Sequence, residues 1–342
     1  MGTIDPRRAL FVVSLATTLS LLGDTAMYTV LPTHADEAGV ALVSVGVLLS
    51  ANRFIRLALN GPIGILTDRW SRRHIFIPTV YIGAISTAIY ALFNGFWPIL
   101  GGRLLWGLAW AGLWVSGNAI VLDITGDHNR GRWVGMYHFA FLLGAASGSI
   151  LGGVLTDLLG FRQAMALSAG LTFFGATIAL LFLPETGHLR DESSITDGIQ
   201  SAPARRTEWG QLYSAAALYG LNRLVMAGIL YATFALFLAQ YLGESIEVRG
   251  RTVGVATVTG IALGASTLIG MIATPIAGTL SDRLRTRWGV ISGGLATGVA
   301  GFALIAQAAP LTMLLGLPLA SVSSGGSQGL ATSLFEIGRA HV

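Results

Sequence analysis

Apolar residues in this chain gather into ten runs of twenty or more residues, separated by short polar segments that hold most of its arginines. A run of about 20 helical residues crosses a hydrocarbon core of about 30 Å. Charged residues make up only 11% of the chain, against about 25% in soluble domains. A soluble body built from 342 residues needs a polar surface, and this chain has too few charges to cover one. In lipid every backbone polar group must bond within its own segment, which makes helices of such runs. The short alternating segments of a β-barrel are not seen. The fold class read here is an all-α membrane protein.

The spans are read at 9–32, 41–65, 75–94, 97–121, 133–159, 163–184, 211–242, 252–280, 289–308 and 311–335. The polar stretch 185–209 contains Asp191-Glu192-Ser193-Ser194 and Ala202-Pro203-Ala204-Arg205-Arg206 and reads as a linker. The predicted organisation is a six-helix bundle over 1–185, a linker over 186–210 and an incomplete four-helix bundle over 211–335.

Arginine placement sets the expected orientation. With the N-terminus in the cytoplasm, the inside loops hold 13 arginines and the outside loops only Arg162, Arg249 and Arg251. Such a bias follows the positive-inside rule. It predicts a multi-pass protein of the cell (inner) membrane, with a cytoplasmic N-terminus and linker. The apolar stretch from Ala9 to Pro32 contains Asp24 and exceeds a signal h-region of about 7–15 residues, so it reads as a span.

Several chemistries lack their residues. There is no cysteine, hence no disulfide, thiolate metal site or cysteine nucleophile. The six histidines (34, 74, 128, 138, 188 and 341) show no metal-ligand spacing. No phosphate-binding loop, dinucleotide fingerprint or Gly-x-Ser-x-Gly elbow occurs. We therefore expect no enzyme activity, no cofactor and no ATP drive within this chain, leaving a proton gradient as the energy source. The net charge of +4 does not point to nucleic acid, because the arginines sit in clusters at span ends.

Two span ends repeat. Pro62-Ile63-Gly64-Ile65-Leu66-Thr67-Asp68-Arg69 leaves span 2, and Pro275-Ile276-Ala277-Gly278-Thr279-Leu280-Ser281-Asp282-Arg283 leaves span 8. Each carries Gly-x-x-x-Asp-Arg, with Arg72 and Arg73 following the first copy. Six spans separate the copies, which implies two parallel six-helix units. The expected device is a latch. The glycine admits a neighbouring helix, and the carboxylate takes a charge-assisted bond from an arginine or a helix N-terminus. A plain topology signal is the alternative reading.

The segment from Gly64 to Arg73 resembles the signature loop of the major facilitator superfamily, with Ser71 where glycine is usual. Arg103-x-x-x-Gly107 in span 4 is similar to that family's helix 4 motif. Gly144-x-x-x-Gly148-Ser149-Ile150-Leu151-Gly152-Gly153 in span 5 resembles its antiporter motif, with Ser149 in place of proline. The stretch Asp24–Pro32 resembles the helix 1 motif of its drug:proton antiporters, one residue short. The resemblance covers residues 10–335. It implies two pseudo-symmetric six-helix halves, the second truncated here, and proton-coupled efflux of drugs or metabolites by alternating access. Proton-coupled uptake of a small anion or sugar stays open, as do a sensor and a membrane-embedded enzyme.

Charges within a span are expensive and mark candidate sites. Asp24 and Arg103 lie about eight and six residues from the outer ends of spans 1 and 4, hence at similar depth at about 1.5 Å per residue. An unpaired carboxylate in an apolar cavity takes up a proton, and one beside an arginine stays ionised. Exchange between these states would couple proton to substrate movement, although a structural ion pair is the alternative. Asn52, Arg56 and Asn60 share one face of span 2, with Arg53 next to it. These arginines would attract an anion, pair with Asp24 or bond between helices. Asn222 and Arg223 would line the cavity from the second half. The glycine strip of Gly144, Gly148, Gly152 and Gly153 reads as a sealing surface or a tight helix contact. Tyr28, Trp106, Trp110, Trp114 and Tyr137 would stack on a substrate or anchor the helices. A small-molecule substrate, protons and the bilayer are the expected partners, for a monomer. The last seven residues, 336–342, look like an adapter-derived extension, so a truncated sequence is expected and Arg339 and His341 carry no expected role.

Overall fold

The computed structural model describes residues 5–126, 130–186, 209–248 and 251–339. The proposed linker, apart from Thr186 and the residues from 209 on, lies outside the described residues, as do Arg249, Gly250 and the last three residues.

The first half contains α1 (Pro6–Val30), α2 (Leu42–Arg69), α3 (Arg72–Leu92), α4 (Phe96–Asp123), α5 (Arg130–Leu159) and α6 (Phe161–Phe182). The second contains α7 (Trp209–Arg223), a π-helical segment (Leu224–Leu230), α8 (Tyr231–Leu242), strands β1 (Ser245–Val248) and β2 (Arg251–Gly254), α9 (Val255–Leu284), α10 (Arg287–Ala306) and α11 (Pro310–Arg339). Among the described residues, nine helical segments are long and apolar enough to cross a membrane, with Ala216–Leu242 counted as one. The tenth span folds as α11. Its Ser321-Val322-Ser323-Ser324-Gly325-Gly326-Ser327 stretch holds small and hydroxyl residues, which pack where large apolar ones would not fit. The helix runs through Arg339, into the residues read from sequence as foreign.

Several helix starts are set locally. The Asp5 carboxylate accepts from the Arg7 N–H at 3.0 Å, with Pro6 as the first helical residue. Ser71 and Thr286 cap α3 and α10 in the same way. Gly95 (φ 98°) and Gly160 (φ 89°) turn the chain into α4 and α6 in a conformation that a side chain would strain.

In the first half α1 packs on α5 and α6, α3 on α4 and α6, and α2 on α4. In the second half α10 packs on α11 and α9 on α11. The α2–α4 and α3–α4 pairings of the first half therefore recur as α9–α11 and α10–α11. A shared close approach accompanies this repeat. A Cβ on Gly107 would lie 2.7 Å from the Asn52 carbonyl oxygen, and one on Gly325 would lie 2.9 Å from the Gly270 Cα.

Two spans differ from the sequence reading. The span 211–242 is not one α-helix, because its centre is wound as a π-helix. Asn222, just before the break, donates to Ser327 Oγ at 3.0 Å and accepts from Ser324 Oγ at 2.9 Å. Hydropathy does not register such a change of winding. The span 252–280 starts late, since Ser245–Gly254 pairs as a hairpin in which Ile246 faces Val253 and Glu247 faces Thr252. Its β-branched residues suit a strand.

The helix 5 glycines divide between two neighbours. Cβ atoms on Gly144, Gly148 and Gly152 would come within 2.8, 2.8 and 2.7 Å of the Cα atoms of Thr18, Leu22 and Ala26 in α1. Gly153 instead faces α9, where a Cβ would lie 2.8 Å from the Ala256 carbonyl carbon. We expect Gly148→Val to cost about 1–3 kcal/mol by overpacking. Gly170→Val should be near neutral, because no described atom stands within 4 Å there. Thermal unfolding of the detergent-purified variants checks this; equal melting temperatures would contradict the packing.

A charged cavity between the halves as candidate site

Helix directions give the molecule an arginine-rich end, with Arg69, Arg72, Arg73, Arg283 and Arg285, and an opposite end, with Glu37, Asp157, Arg162 and Glu244. The halves meet along α5 and α9 toward the opposite end. A Cβ on Gly260 would come within 3.2 Å of the Ser149 carbonyl carbon, and one on Gly264 within 2.9 Å of the Ala146 carbonyl oxygen. Asp157, near the end of α5, accepts from the Thr257 N–H in the first turn of α9 at 2.7 Å. A carboxylate at a helix N-terminus is doubly favoured, by the free N–H groups and by the helix dipole.

Beside this seam lies a cavity of about 710 Å³, lined from both halves. Its lining reaches Asn60, Thr274 and Tyr219 on the arginine-rich side. The first half contributes Asp24, Tyr28, Arg53, Arg56, Trp110 and Trp114. The second contributes Tyr231, Ser266, Ser321 and Ser324 among others, and no charged residue among those described.

Asp24 and Arg103, matched in depth by the sequence, are in contact. Arg103 is fully buried and donates from Nη1 to Asp24 Oδ1 at 2.8 Å. It also donates from Nη2 to the Tyr28 hydroxyl at 2.8 Å and from Nε to the Leu48 carbonyl at 3.3 Å. Asn52 donates to Asp24 Oδ1 at 3.4 Å, and its own oxygen accepts from Tyr28 at 3.2 Å. Arg56 Nη2 stands 3.6 Å from Asp24 Oδ2, and the guanidinium lies 4.2 Å over the Trp110 ring. Arg53 lies 5.0 Å over the Tyr28 ring. Asp24 is thus held tightly on its buried side and loosely on its cavity side.

Asn222 sits at the break before the π-helix, bonded to α11. The side chain of Arg223 lies outside the described residues. Trp110 and Trp114 lie with ring planes 6° apart, and Phe141 sets its edge against both. Trp106 and Tyr137 are buried in the first bundle, where they pack instead of lining the cavity.

The signature loop makes its contacts within the first bundle. Arg72 bonds Asp123 Oδ2 at 3.3 Å, both side chains being 5% exposed, and lies 3.9 Å from Asp68. Arg73 donates to the Leu180 carbonyl at 2.6 Å, and Ser71 donates to Glu185. These partners belong to the first bundle. Arg69, Asp282 and Arg283 are exposed. No described atom lies within 4 Å of a Cβ placed on Gly64 or Gly278, so neither glycine receives a helix in this conformation. The halves are joined on the other side of the cavity, which leaves these ends apart. Asp123 and Glu185 were not singled out in the sequence. Their position at the same membrane boundary as Arg72 was the available signal.

Two helical bundles that close on each other at one end, with a charged cavity between them, have the build of a multi-pass membrane transporter. Residues 13–340 match the sequence profile of the Major Facilitator Superfamily, and the chain belongs to that family. It is 28% identical over 321 residues to the tetracycline resistance protein, class G, of Vibrio anguillarum, covering 84% of this chain and 76% of that one. It is 29% identical over 153 residues to the class C protein of Escherichia coli, covering 43% and 38%. Among solved structures, it is similar to a bacterial homolog of the human lysosomal transporter Spinster in an inward-facing, occupied conformation. The TM-score is 0.77 at 18% identity, covering 96% of this chain and 74% of that one.

Proposed function

We propose that this chain carries a small molecule across the membrane by alternating access, coupled to protons at Asp24, and that it exports its substrate. The observation that carries the proton assignment is the placement of Asp24. It forms part of the cavity wall, yet its carboxylate is gripped from behind by the fully buried Arg103. A carboxylate in that position changes its partner set whenever the cavity changes occupant or access, which is what coupling a proton to a substrate requires. The export direction rests on the relatives, which are named for tetracycline resistance.

By the positive-inside rule the arginine-rich end is cytoplasmic. The cavity then faces the cytoplasm, and the α5–α9 seam with Asp157 seals the outside. In the other conformation the Asp68 and Asp282 loops would come together as the cytoplasmic latch, and Gly64 and Gly278 would receive helices. The proposed location is the cell (inner) membrane, with the N-terminus in the cytoplasm.

Uptake of a small anion together with protons is the second reading, favoured by the surplus of arginine around the cavity. A substrate anion competes with Asp24 for Arg56, so protonating Asp24 releases Arg56 to the anion.

Proteoliposomes holding an internal pH dye separate the two. We expect the dye to report protons moving against the substrate when tetracycline or 2-naphthoate is the probe. Protons moving with the probe would support uptake. A dye signal independent of every probe in an active preparation would remove the coupling proposal.

A further inference from the structure

We infer that the cavity binds a flat aromatic acid, with Arg56 and Arg53 receiving its anionic group and Trp110 and Trp114 forming the wall for its ring. The inference rests on the cavity being the transport site and holds for either direction of transport.

Charge carries the first part. Among the described residues, three guanidinium groups, Arg53, Arg56 and Arg103, stand around the cavity against one carboxylate, Asp24. Arg103 is already satisfied by Asp24, Tyr28 and the Leu48 carbonyl. Arg53 has no acidic partner among the described residues, and its contact is the face of Tyr28. Arg56 reaches Asp24 only at 3.6 Å, and its Nε and Nη2 make no hydrogen bond among the described residues. These two nitrogens are buried and unsatisfied, and they share the guanidinium edge that takes a carboxylate by two parallel bonds once the cavity wall admits one. Surplus positive charge inside a membrane is unfavourable until an anion compensates it. The second half supplies no described carboxylate to do so.

Shape carries the second part. The Arg56 guanidinium is stacked at 4.2 Å on Trp110, which is in turn parallel to Trp114. The cation therefore sits at the end of an aromatic wall, and a ligand whose acid is attached to a flat ring meets both at once. The volume of about 710 Å³ is far too large for a simple inorganic ion and suits a molecule of several rings. The second half lines the cavity with the hydroxyl residues Tyr231, Ser266, Ser321 and Ser324, bonded to one another or to their neighbours, which make its wall polar without adding charge.

The test measures binding to the purified 342-residue protein in detergent, with no gradient, by equilibrium dialysis of 2-naphthoate, 2-naphthylmethanol and 2-naphthylmethylammonium. We expect the acid to bind at least tenfold tighter than the alcohol and the ammonium compound to bind weakest. Inorganic phosphate should not displace the acid. Arg56→Gln should abolish the preference for acid over alcohol while the alcohol still binds, and Arg56→Lys should restore part of it. Retained alcohol binding shows that the variant is folded. Equal affinities, tighter binding of the ammonium compound, displacement by phosphate, an unchanged acid preference in Arg56→Gln, or no binding of any probe would overturn the inference. Because no proton gradient is used, failure of the coupling proposal leaves this measurement intact.

Discussion

Asp24→Asn is expected to abolish proton-driven transport while leaving the substrate site able to bind. Asparagine keeps the shape of the side chain and still accepts from Arg103, but it carries no proton between conformations. Proton-driven flux should fall at least about 100-fold, as expected when a group essential to the driven step is lost. Binding should move the other way for an acidic probe. Neutralising Asp24 removes the only described carboxylate beside Arg56, 3.6 Å away. The freed arginine should raise the affinity for 2-naphthoate by about tenfold, equivalent to about 1.4 kcal/mol. The substitution also leaves Arg103 buried without its ion pair, which destabilises by about 3–5 kcal/mol where no other group compensates. Thermal unfolding must therefore be followed alongside. Proton-driven flux at the wild-type level in the variant would refute the assignment of Asp24, whatever its binding behaviour.

Gly260→Leu is expected to jam the carrier with the opposite end unable to close. The glycine lies against the backbone of Ser149, and its Cβ would also stand 3.4 Å from the Gly153 Cα. Backbone on the facing helix cannot step aside as a flexible side chain can, so α5 and α9 must separate. Overpacking of this kind costs about 1–3 kcal/mol. Applied to only one conformation, that cost shifts the balance between the two by roughly 5- to 150-fold. The absence of cysteine permits a direct readout, because Ala145→Cys places a single thiol in the cavity wall. In the Ala145→Cys protein, a membrane-impermeant maleimide should label from the arginine-rich side. Adding Gly260→Leu should make the thiol reactive from the other side and stop transport. Asp157→Asn should act in the same direction but more weakly, since the amide oxygen still accepts from Thr257. Unchanged sidedness in Gly260→Leu would show that the α5–α9 seam does not govern access.

The positions of the spans were legible because insertion depends on summed transfer free energy, which adds residue by residue along the chain. The arginine asymmetry and the recurrence of Asp68 at Asp282 are likewise properties of sequence order. So was the candidacy of Asp24 and Arg103, since a charge inside an apolar run is visible without its neighbours. The spans that differed from expectation did so at local features that hydropathy does not register. Asn222 bonds α11 beside the π-helical turn, and the hairpin before α9 uses residues too few to show a period.

Pairing is what the tertiary structure alone decided. A helix buries a given face only after its rotation and tilt are set by every helix it touches, and no local sum over residues contains that information. The sequence offered Arg103, Arg53 and Arg56 as partners for Asp24; the arrangement of α1, α2 and α4 placed Arg103 at 2.8 Å and left Arg56 at 3.6 Å. It could offer a glycine strip, but only packing divided Gly144, Gly148 and Gly152 toward α1 from Gly153 toward α9. It also paired Arg72 with Asp123 inside the first bundle, a contact that sequence order did not offer. By itself the sequence determined a chain of membrane-spanning helices in two related halves, with charges worth questioning. The contacts among those helices decided which charge is held tightly, which loosely, and which end of the cavity is closed.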